Sequence, residues 1–190
     1  MATAGIWSKL EDKEKAAFGL EDGKKTRWFL IAAMCTTTRC ILAMKLARAE
    51  SGRAAVQTID MIVRDKGVWA DAVGPLTPWN MSGTPELIVT DAGSGFLDFD
   101  TRAGATDLGI AIDAGPAGMP EFRARIERMF GTMASSFIGR FTGRTFRNTV
   151  VKGDYDSDKR AALTSEELSE ALVPWVVGVY HRRPHAGLGG

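Results

Sequence analysis

Apolar residues along this chain fall into short runs separated by turn-forming residues. Two runs, residues 28–34 and 40–46, flank three threonines and predict an antiparallel strand pair buried on both faces. Two shorter runs, residues 87–90 and 108–113, lead into Asp91 and end at Asp113, respectively, and predict two more buried strands. Carboxylates are therefore expected at the tips of two strands.

Helical spacing of apolar residues appears in three other segments. Residues 51–66 predict a helix that Gly67 stops, and Pro120 opens a second helix, which carries Glu127. Thr164 and Glu167 form a capping box before a third helix, which Pro174 is expected to kink or divide. Strands and helices in this mixture predict an α/β fold.

Two segments between these elements predict loops. Residues 68–83 contain several glycines and prolines, and residues 96–100 mix apolar residues with two acids. Trp69 and Trp79 in the first loop could stack on nucleic-acid bases. Tryptophans in a long loop more often pin it to the core, and we expect the structural role.

Composition restricts the class of protein without choosing a function. A chain of 190 residues that is 45% hydrophobic fits one domain, residues 1–190. The net charge of +1 produces no overall field that would attract nucleic acid, although residues 120–190 carry 11 Lys and Arg against 8 Asp and Glu. No apolar run approaches ~20 residues. Cys35 and Cys40 lack metal-spaced partners, so we expect a cytoplasmic chain with reduced thiols.

The spacing of two acids gives the most specific signal. Thirty-five residues separate Asp91, in the segment Val89–Phe96, from Glu127, in the segment Ile126–Phe130. This arrangement resembles the Asp-Asp-Glu recombinases, the catalytic cores of retroviral-type integrases and of transposases, with Mu-type phage transposases nearest. The C-terminal segment Tyr180–Gly190 is similar to the Tyr-Asn-x-x-Pro-His-x-x-Leu tail of such cores.

The resemblance implies a ribonuclease-H-like mixed sheet flanked by helices. It also implies that Asp91 and Glu127 are catalytic and hold two Mg²⁺ or Mn²⁺ ions for DNA cleavage and strand transfer. The family's first catalytic Asp lies on a first strand that no segment before Trp28 matches. We therefore expect a core that is truncated at its N-terminus, lacks that strand, binds metal weakly and has little or no activity alone.

Basic residues in the C-terminal half are the candidates for DNA contact. Arginines surround Glu127, and others alternate with phenylalanines further on, a pattern that suits a nucleic-acid surface but is also common in surface loops. The candidates are Arg123, Arg128, Arg140, Arg144, Arg147 and Lys152. The expected partners are the ends of a mobile element and its target DNA, together with further copies of the chain.

Three alternatives remain open from the sequence. Glu127 could pair with Arg123, four residues before it, on a solvated helix face. The chain could be a metal-dependent nuclease of the same fold that cuts DNA without joining it. It could also be a non-catalytic DNA-binding or assembly remnant, whose DNA binding would not depend on Asp91.

Overall fold

The computed structural model describes residues 29–90, 94–113, 120–140, 165–185 and 188. The predicted antiparallel pair is confirmed: strand β1 (Phe29–Met34) pairs with β2 (Ile41–Ala47) across a tight turn in which Arg39 adopts a φ of 63°. The prediction that both strands are buried on both faces is wrong for β1. Phe29 is 41% exposed and the rest of β1 is half-buried.

Helix α1 (Gly52–Val63) follows, and helix α2 (Gly67–Val73) begins where the sequence predicted a stop. The Ser51 hydroxyl caps α1 by accepting a hydrogen bond from the Ala54 backbone N–H at 3.3 Å. The expectation of a loop was thus wrong for residues 68–73. It holds beyond Gly74, which ends α2 in the left-handed region with a φ of 69°.

Trp79 fixes the segment after α2 to the first sheet. Its side chain is 1% exposed, and its indole N–H donates to the Ile41 carbonyl oxygen at 2.9 Å. Lys66 is also buried, and its ammonium donates to the Met81 carbonyl oxygen at 2.6 Å. The structural interpretation of Trp79 is therefore confirmed, and the indole is not available to stack on a base.

Strands β3 (Leu87–Val89) and β4 (Ala111–Asp113) form a parallel pair in which Val89 stands opposite Asp113. Between them lie the short helix α3 (Ser94–Leu97) and helix α4 (Phe99–Asp107), so the expectation of a loop at residues 96–100 was wrong. Only one face of the pair packs inward. Leu87 on the other face is 51% exposed, so the prediction of a buried strand is correct for one face of β3 only.

Helix α5 (Pro120–Ser136) starts at the predicted proline and is followed by a 3₁₀ turn (Ile138–Arg140). Helix α6 (Ser165–Trp175) contains Pro174 and continues as a π-helical turn (Val176–Tyr180). Proline has no N–H to donate, so a change in hydrogen-bond pattern next to Pro174 is expected. The predicted kink or division therefore takes the form of a switch from α to π geometry.

The architecture is mixed α/β, as predicted, but the described residues form two separate two-stranded sheets. The expected single ribonuclease-H-like sheet is not observed among them. A large core joins the β1–β2 sheet to α5, α6 and the π turn, and a small core lies under β3 and β4. Helix α1 packs against the first sheet and against α3 and α4, and so connects the two cores. None of the described helices has the length and apolar character needed to span a bilayer.

Candidate active site

The strand pair β3–β4 ends with one described acid, Asp113, at its carboxyl edge. The Thr90 N–H donates to the Asp113 carbonyl oxygen at 2.9 Å, which extends the parallel pairing by one residue beyond Val89. Carboxyl ends of parallel strands meet at the same edge of a sheet, where α/β proteins commonly place ligands. Asp113 is half-buried there. Asp91, the residue after Thr90, lies outside the described residues.

A close backbone contact fixes the chain just after that edge. The position of a Cβ on Gly95, in α3, would lie 2.6 Å from the Ser51 carbonyl oxygen and 2.8 Å from its carbon. The same Ser51 carbonyl accepts the Ala55 N–H at 3.0 Å in the first turn of α1. The segment that follows Asp91 can therefore approach α1 only because residue 95 has no side chain.

Glu127 lies on α5 with its side chain exposed. No hydrogen bond or ion pair joins its carboxylate to another described side chain, and the side chain of Arg123 lies outside the described part. Met129 and Met133 on the same helix pack in the large core, whereas β3 and β4 pack in the small one. The contacts seen do not bring Glu127 and Asp113 together.

The predicted DNA-contacting residues divide into two groups. Arg128 and Arg140 are exposed on α5 and on the following 3₁₀ turn, as a DNA surface requires. The other four predictions fall where side chains are not described. These are Arg123, Arg144, Arg147 and Lys152.

Helix α5 also reaches the turn between β1 and β2. A guanidinium nitrogen of Arg125 donates to the Thr36 carbonyl oxygen at 3.4 Å. Beside this turn, the Ile41 backbone N–H donates to Nε2 of His181 at 2.9 Å. Arg39 and Arg183 lie close in sequence to Ile41 and His181, respectively. No local pattern indicates that these two segments meet, because Ile41 and His181 are 140 residues apart.

Two pKa values in this region depart from their ordinary range. Burial, followed by the charge of His185, lowers the pKa of His181 to about 4, so its imidazole is neutral at pH 7. Burial acts to raise the pKa of Cys35, but hydrogen bonds from Thr38 and Thr37 and the charge of Arg39 outweigh it and lower this pKa. Neither cysteine forms a disulfide.

Metal chemistry at this edge would need carboxylate oxygens, which hard cations such as Mg²⁺ and Mn²⁺ prefer. In the described part of the chain, no three His, Cys, Asp or Glu side chains are grouped so that they could hold an ion. Asp113 and Glu127 have the right ligand atoms but lie on elements of different cores. The predicted metal ligands, Asp91 and Glu127, therefore carry the oxygen atoms that Mg²⁺ prefers. That they bind one metal site together remains a prediction.

Residues 20–143, well over half of the chain, match the family described as the TnsB C-terminal domain. The chain belongs to this family. Both Asp91 and Glu127 lie inside the matched range, as do the two strand pairs and α5. The resemblance to transposases is thereby confirmed in its general form, as a transposase-related protein.

This TnsB C-terminal domain protein is also similar to the transposase for transposon Tn552 of Staphylococcus aureus. The two are 29% identical over 112 residues, which are 59% of this chain and 22% of that transposase. The chain thus spans about a fifth of the length of this relative.

Proposed function

We propose that this chain takes part in DNA transposition as a metal-dependent core for phosphodiester cleavage and strand transfer. Three observations support the proposal. The family match covers both predicted catalytic acids, Asp91 and Glu127. The pairing of β3 with β4 extends to Thr90, the residue before Asp91 in the sequence, and the Glu127 carboxylate is exposed without a described partner.

In the proposed reaction, Asp91 and Glu127 would hold Mg²⁺ or Mn²⁺ ions, which would stabilise the charge that develops on the attacking, leaving and non-bridging oxygens at phosphorus. Asp113, at the end of β4, is a further carboxylate. In cleavage, water attacks the phosphorus and the 3′-oxygen of the cut strand leaves as a 3′-hydroxyl. In joining, that 3′-hydroxyl attacks a phosphorus of the target DNA and displaces the 3′-oxygen of the target strand. Exposed Arg128 and Arg140 are proposed to hold the DNA backbone.

The division of the strands into two pairs supports the ribonuclease-H-like assignment in one further way. Within the described residues, each of the four strands pairs on one side only, so each pair has free edges. One additional strand placed between β1 and β3 would join the antiparallel pair and the parallel pair into a single mixed sheet. The family resemblance implies a first strand that carries a third catalytic carboxylate, and we propose that it would occupy this place.

A calorimetric titration with Mn²⁺ tests the proposed site. We expect weak binding by the parent chain, loss of binding in Asp91→Asn and in Glu127→Gln, and unchanged binding in Glu170→Gln, an exposed carboxylate on α6. Binding that survives both substitutions would contradict the assignment. Detectable metal-dependent strand transfer by the 190-residue chain would contradict the expectation that it has little activity alone.

A non-catalytic role in DNA binding or assembly is the second candidate. It is compatible with the described residues, in which Asp113 and Glu127 belong to elements of different cores. This role predicts that Asp91→Asn leaves DNA affinity unchanged. A joining assay distinguishes the proposed transposase activity from that of a nuclease of the same fold, which would cut DNA without joining it.

A further inference from the structure

The two cysteines of the chain, Cys35 and Cys40, stand opposite each other at the end of the β1–β2 hairpin. The register of the hairpin shifts by one residue between Ala33 and Met34, so that Met34 pairs with Ile41. The Cys35 backbone N–H donates to the Cys40 carbonyl oxygen at 2.9 Å and continues the shifted register. Without the shift, Cys35 would stand opposite Ile41. The irregularity in the hairpin therefore brings the two cysteines together.

The spacing of such a pair suits a disulfide. Residues that face each other in an antiparallel pair project their side chains to the same face. Their Cα atoms lie about 5.5 Å apart where hydrogen bonds join them, within the ~4.4–6.8 Å that disulfides span. The Cys40 N–H donates to the Thr38 hydroxyl oxygen at 3.3 Å, and the Cys35 carbonyl oxygen accepts from the Arg39 N–H at 3.0 Å. These bonds within the turn leave the cysteines free to close by the ~1 Å that bonded sulfurs require.

Cys35 has the surroundings of a reactive thiol. Its Sγ accepts a hydrogen bond from the Thr38 N–H at 3.5 Å. Burial acts to raise the pKa of the Cys35 thiol, but hydrogen bonds from Thr38 and Thr37 and the charge of Arg39 outweigh it and lower this pKa. Both cysteines are half-buried, and Cys40 lines an open cavity of about 280 Å³. Since the thiolate is the nucleophile, an oxidant from solvent is expected to react first at Cys35.

We propose that Cys35 and Cys40 form a reversible redox site, at which a peroxide converts the two thiols into an intramolecular disulfide. The Cys35 thiolate attacks one oxygen of hydrogen peroxide, the O–O bond breaks, and a sulfenic acid and hydroxide result. The Cys40 thiol then attacks the Cys35 sulfur, and the sulfenic oxygen leaves as water once the displaced protons are taken up. Two thiols and one hydrogen peroxide thus give one disulfide and two waters.

Reversal needs only a monothiol such as glutathione. One glutathione thiolate attacks the disulfide, a second displaces the mixed disulfide, and the products are the two protein thiols and glutathione disulfide. A pair that has to draw closer forms a strained disulfide, and strained disulfides are reduced easily. The site is therefore suited to repeated oxidation and reduction and differs from a permanent crosslink.

The disulfide would act on the contact between the hairpin and α5. Residues 36–39 form the turn that the two cysteines enclose. The Thr36 carbonyl oxygen accepts from a guanidinium nitrogen of Arg125, on α5, at 3.4 Å. Closing the cysteines onto each other moves this turn, so oxidation is expected to alter the contact with α5. The redox chemistry itself does not depend on the proposed function or on its carboxylates.

Peptide mapping of the folded 190-residue chain tests the site. The chain is treated with an equimolar amount of hydrogen peroxide, its free thiols are blocked with iodoacetamide, and it is digested with trypsin. Trypsin cuts after Arg39, which lies between the two cysteines, so the disulfide joins two separate peptides. We expect this linked pair in the monomeric protein and its loss after treatment with glutathione. Absence of the linked pair, or crosslinks between chains in its place, would overturn the proposal.

Two serine variants test the order of the steps. Cys40→Ser keeps the first thiol and should accumulate a sulfenic acid at Cys35, which dimedone traps. Cys35→Ser removes the activated thiol and should react with peroxide several-fold more slowly. In urea the two variants should react at the same rate, because the contacts around Cys35 exist only in the folded chain. Equal rates for the two folded variants would refute the assignment of Cys35 as the group attacked first.

Discussion

Substitution of Gly95 by alanine perturbs the contact that sets the position of the chain after Asp91. The added Cβ would lie 2.6 Å from the Ser51 carbonyl oxygen, 2.8 Å from its carbon and 3.2 Å from its nitrogen. All three are backbone atoms of the residue that caps α1. Ser51 is held there by the hydrogen bonds of Ala54 and Ala55, so it cannot turn aside as a side chain would.

The expected cost follows from this geometry. Ordinary contact with a Cβ begins at about 3.4 Å, so the backbones must separate by most of an ångström. Forcing an extra carbon into a packed contact typically costs about 1–3 kcal/mol. Alanine recovers up to about 1 kcal/mol through the lower entropy of the unfolded chain. We therefore expect Gly95→Ala to lower the free energy of unfolding by about 1–2 kcal/mol.

Urea denaturation followed by circular dichroism measures this change, and two glycines provide matched controls. A Cβ on Gly104, in α4, would meet no atom within 4 Å, so Gly104→Ala should raise the free energy of unfolding by about 0.5–1 kcal/mol. A Cβ on Gly52 would meet side-chain atoms of Asp98 and no backbone atom, and because the exposed Asp98 side chain can move, Gly52→Ala should cost less than Gly95→Ala. If Gly95→Ala is as stable as Gly104→Ala, the close approach of α3 to α1 does not exist.

Two further predictions concern residues around the first sheet. Because the pKa of His181 is lowered to about 4 in the folded protein, the unfolded chain binds more protons between about pH 4 and 6.5. Stability is then fully present above about pH 6.5 and falls as the pH drops towards 4. The full difference is about 3 kcal/mol, which partial exposure of the ring reduces to about 1–2 kcal/mol. His181→Gln retains an acceptor for Ile41 and should flatten this dependence in urea titrations across the range, and an unaltered slope would refute the assignment. Trp79→Phe should lower the free energy of unfolding by about 2–4 kcal/mol, because it removes buried volume and leaves the Ile41 carbonyl without its donor. The same urea assay measures it, and a loss below ~1 kcal/mol would mean that Trp79 does not anchor the loop.

The elements that the sequence predicted correctly are those with local signals. The apolar runs around residues 36–38 gave the hairpin, and Pro120 marked the start of α5. The serine before Gly52 precedes α1 and caps it. In each case the pattern of a few neighbouring residues carries the information, because capping, proline geometry and strand alternation act over short distances.

Helices α2 and α4 were missed for physical reasons that differ. Gly67 looked like a helix stop, yet it begins α2, whose Ala70 is buried against the large core. Tertiary packing there outweighs the weak helix propensity of the sequence. Helix α4 buries only Thr101 and Ala105 and leaves Phe99 82% exposed, so it has no apolar stripe to recognise. The one usable signal was Asp98 at its N-cap position.

The candidate sites show the same division between local and distant information. Asp91 and Glu127 were found from a spacing that resembles a known family, and the family match supports this reading without testing their roles. The hydrogen bond from the Ile41 N–H to Nε2 of His181, in contrast, joins residues that are 140 positions apart. No period or motif in the sequence reports such a contact. Sequence reasoning could therefore name His181 but could not say which of its nitrogens was occupied.

The two proposed metal ligands, Asp91 and Glu127, are associated with elements that pack in different hydrophobic cores. β3, which precedes Asp91 in the sequence, and its partner β4 pack in the small core, whereas the helix of Glu127 packs in the large one. Among the described elements, α1 packs against both the first sheet and α3–α4. Under the proposed function, the distance between Asp91 and Glu127 therefore depends largely on how α3 and α4 pack against α1. The Gly95–Ser51 contact is a close backbone approach within this packing, so Gly95→Ala should weaken Mn²⁺ binding even in conditions where the variant is fully folded.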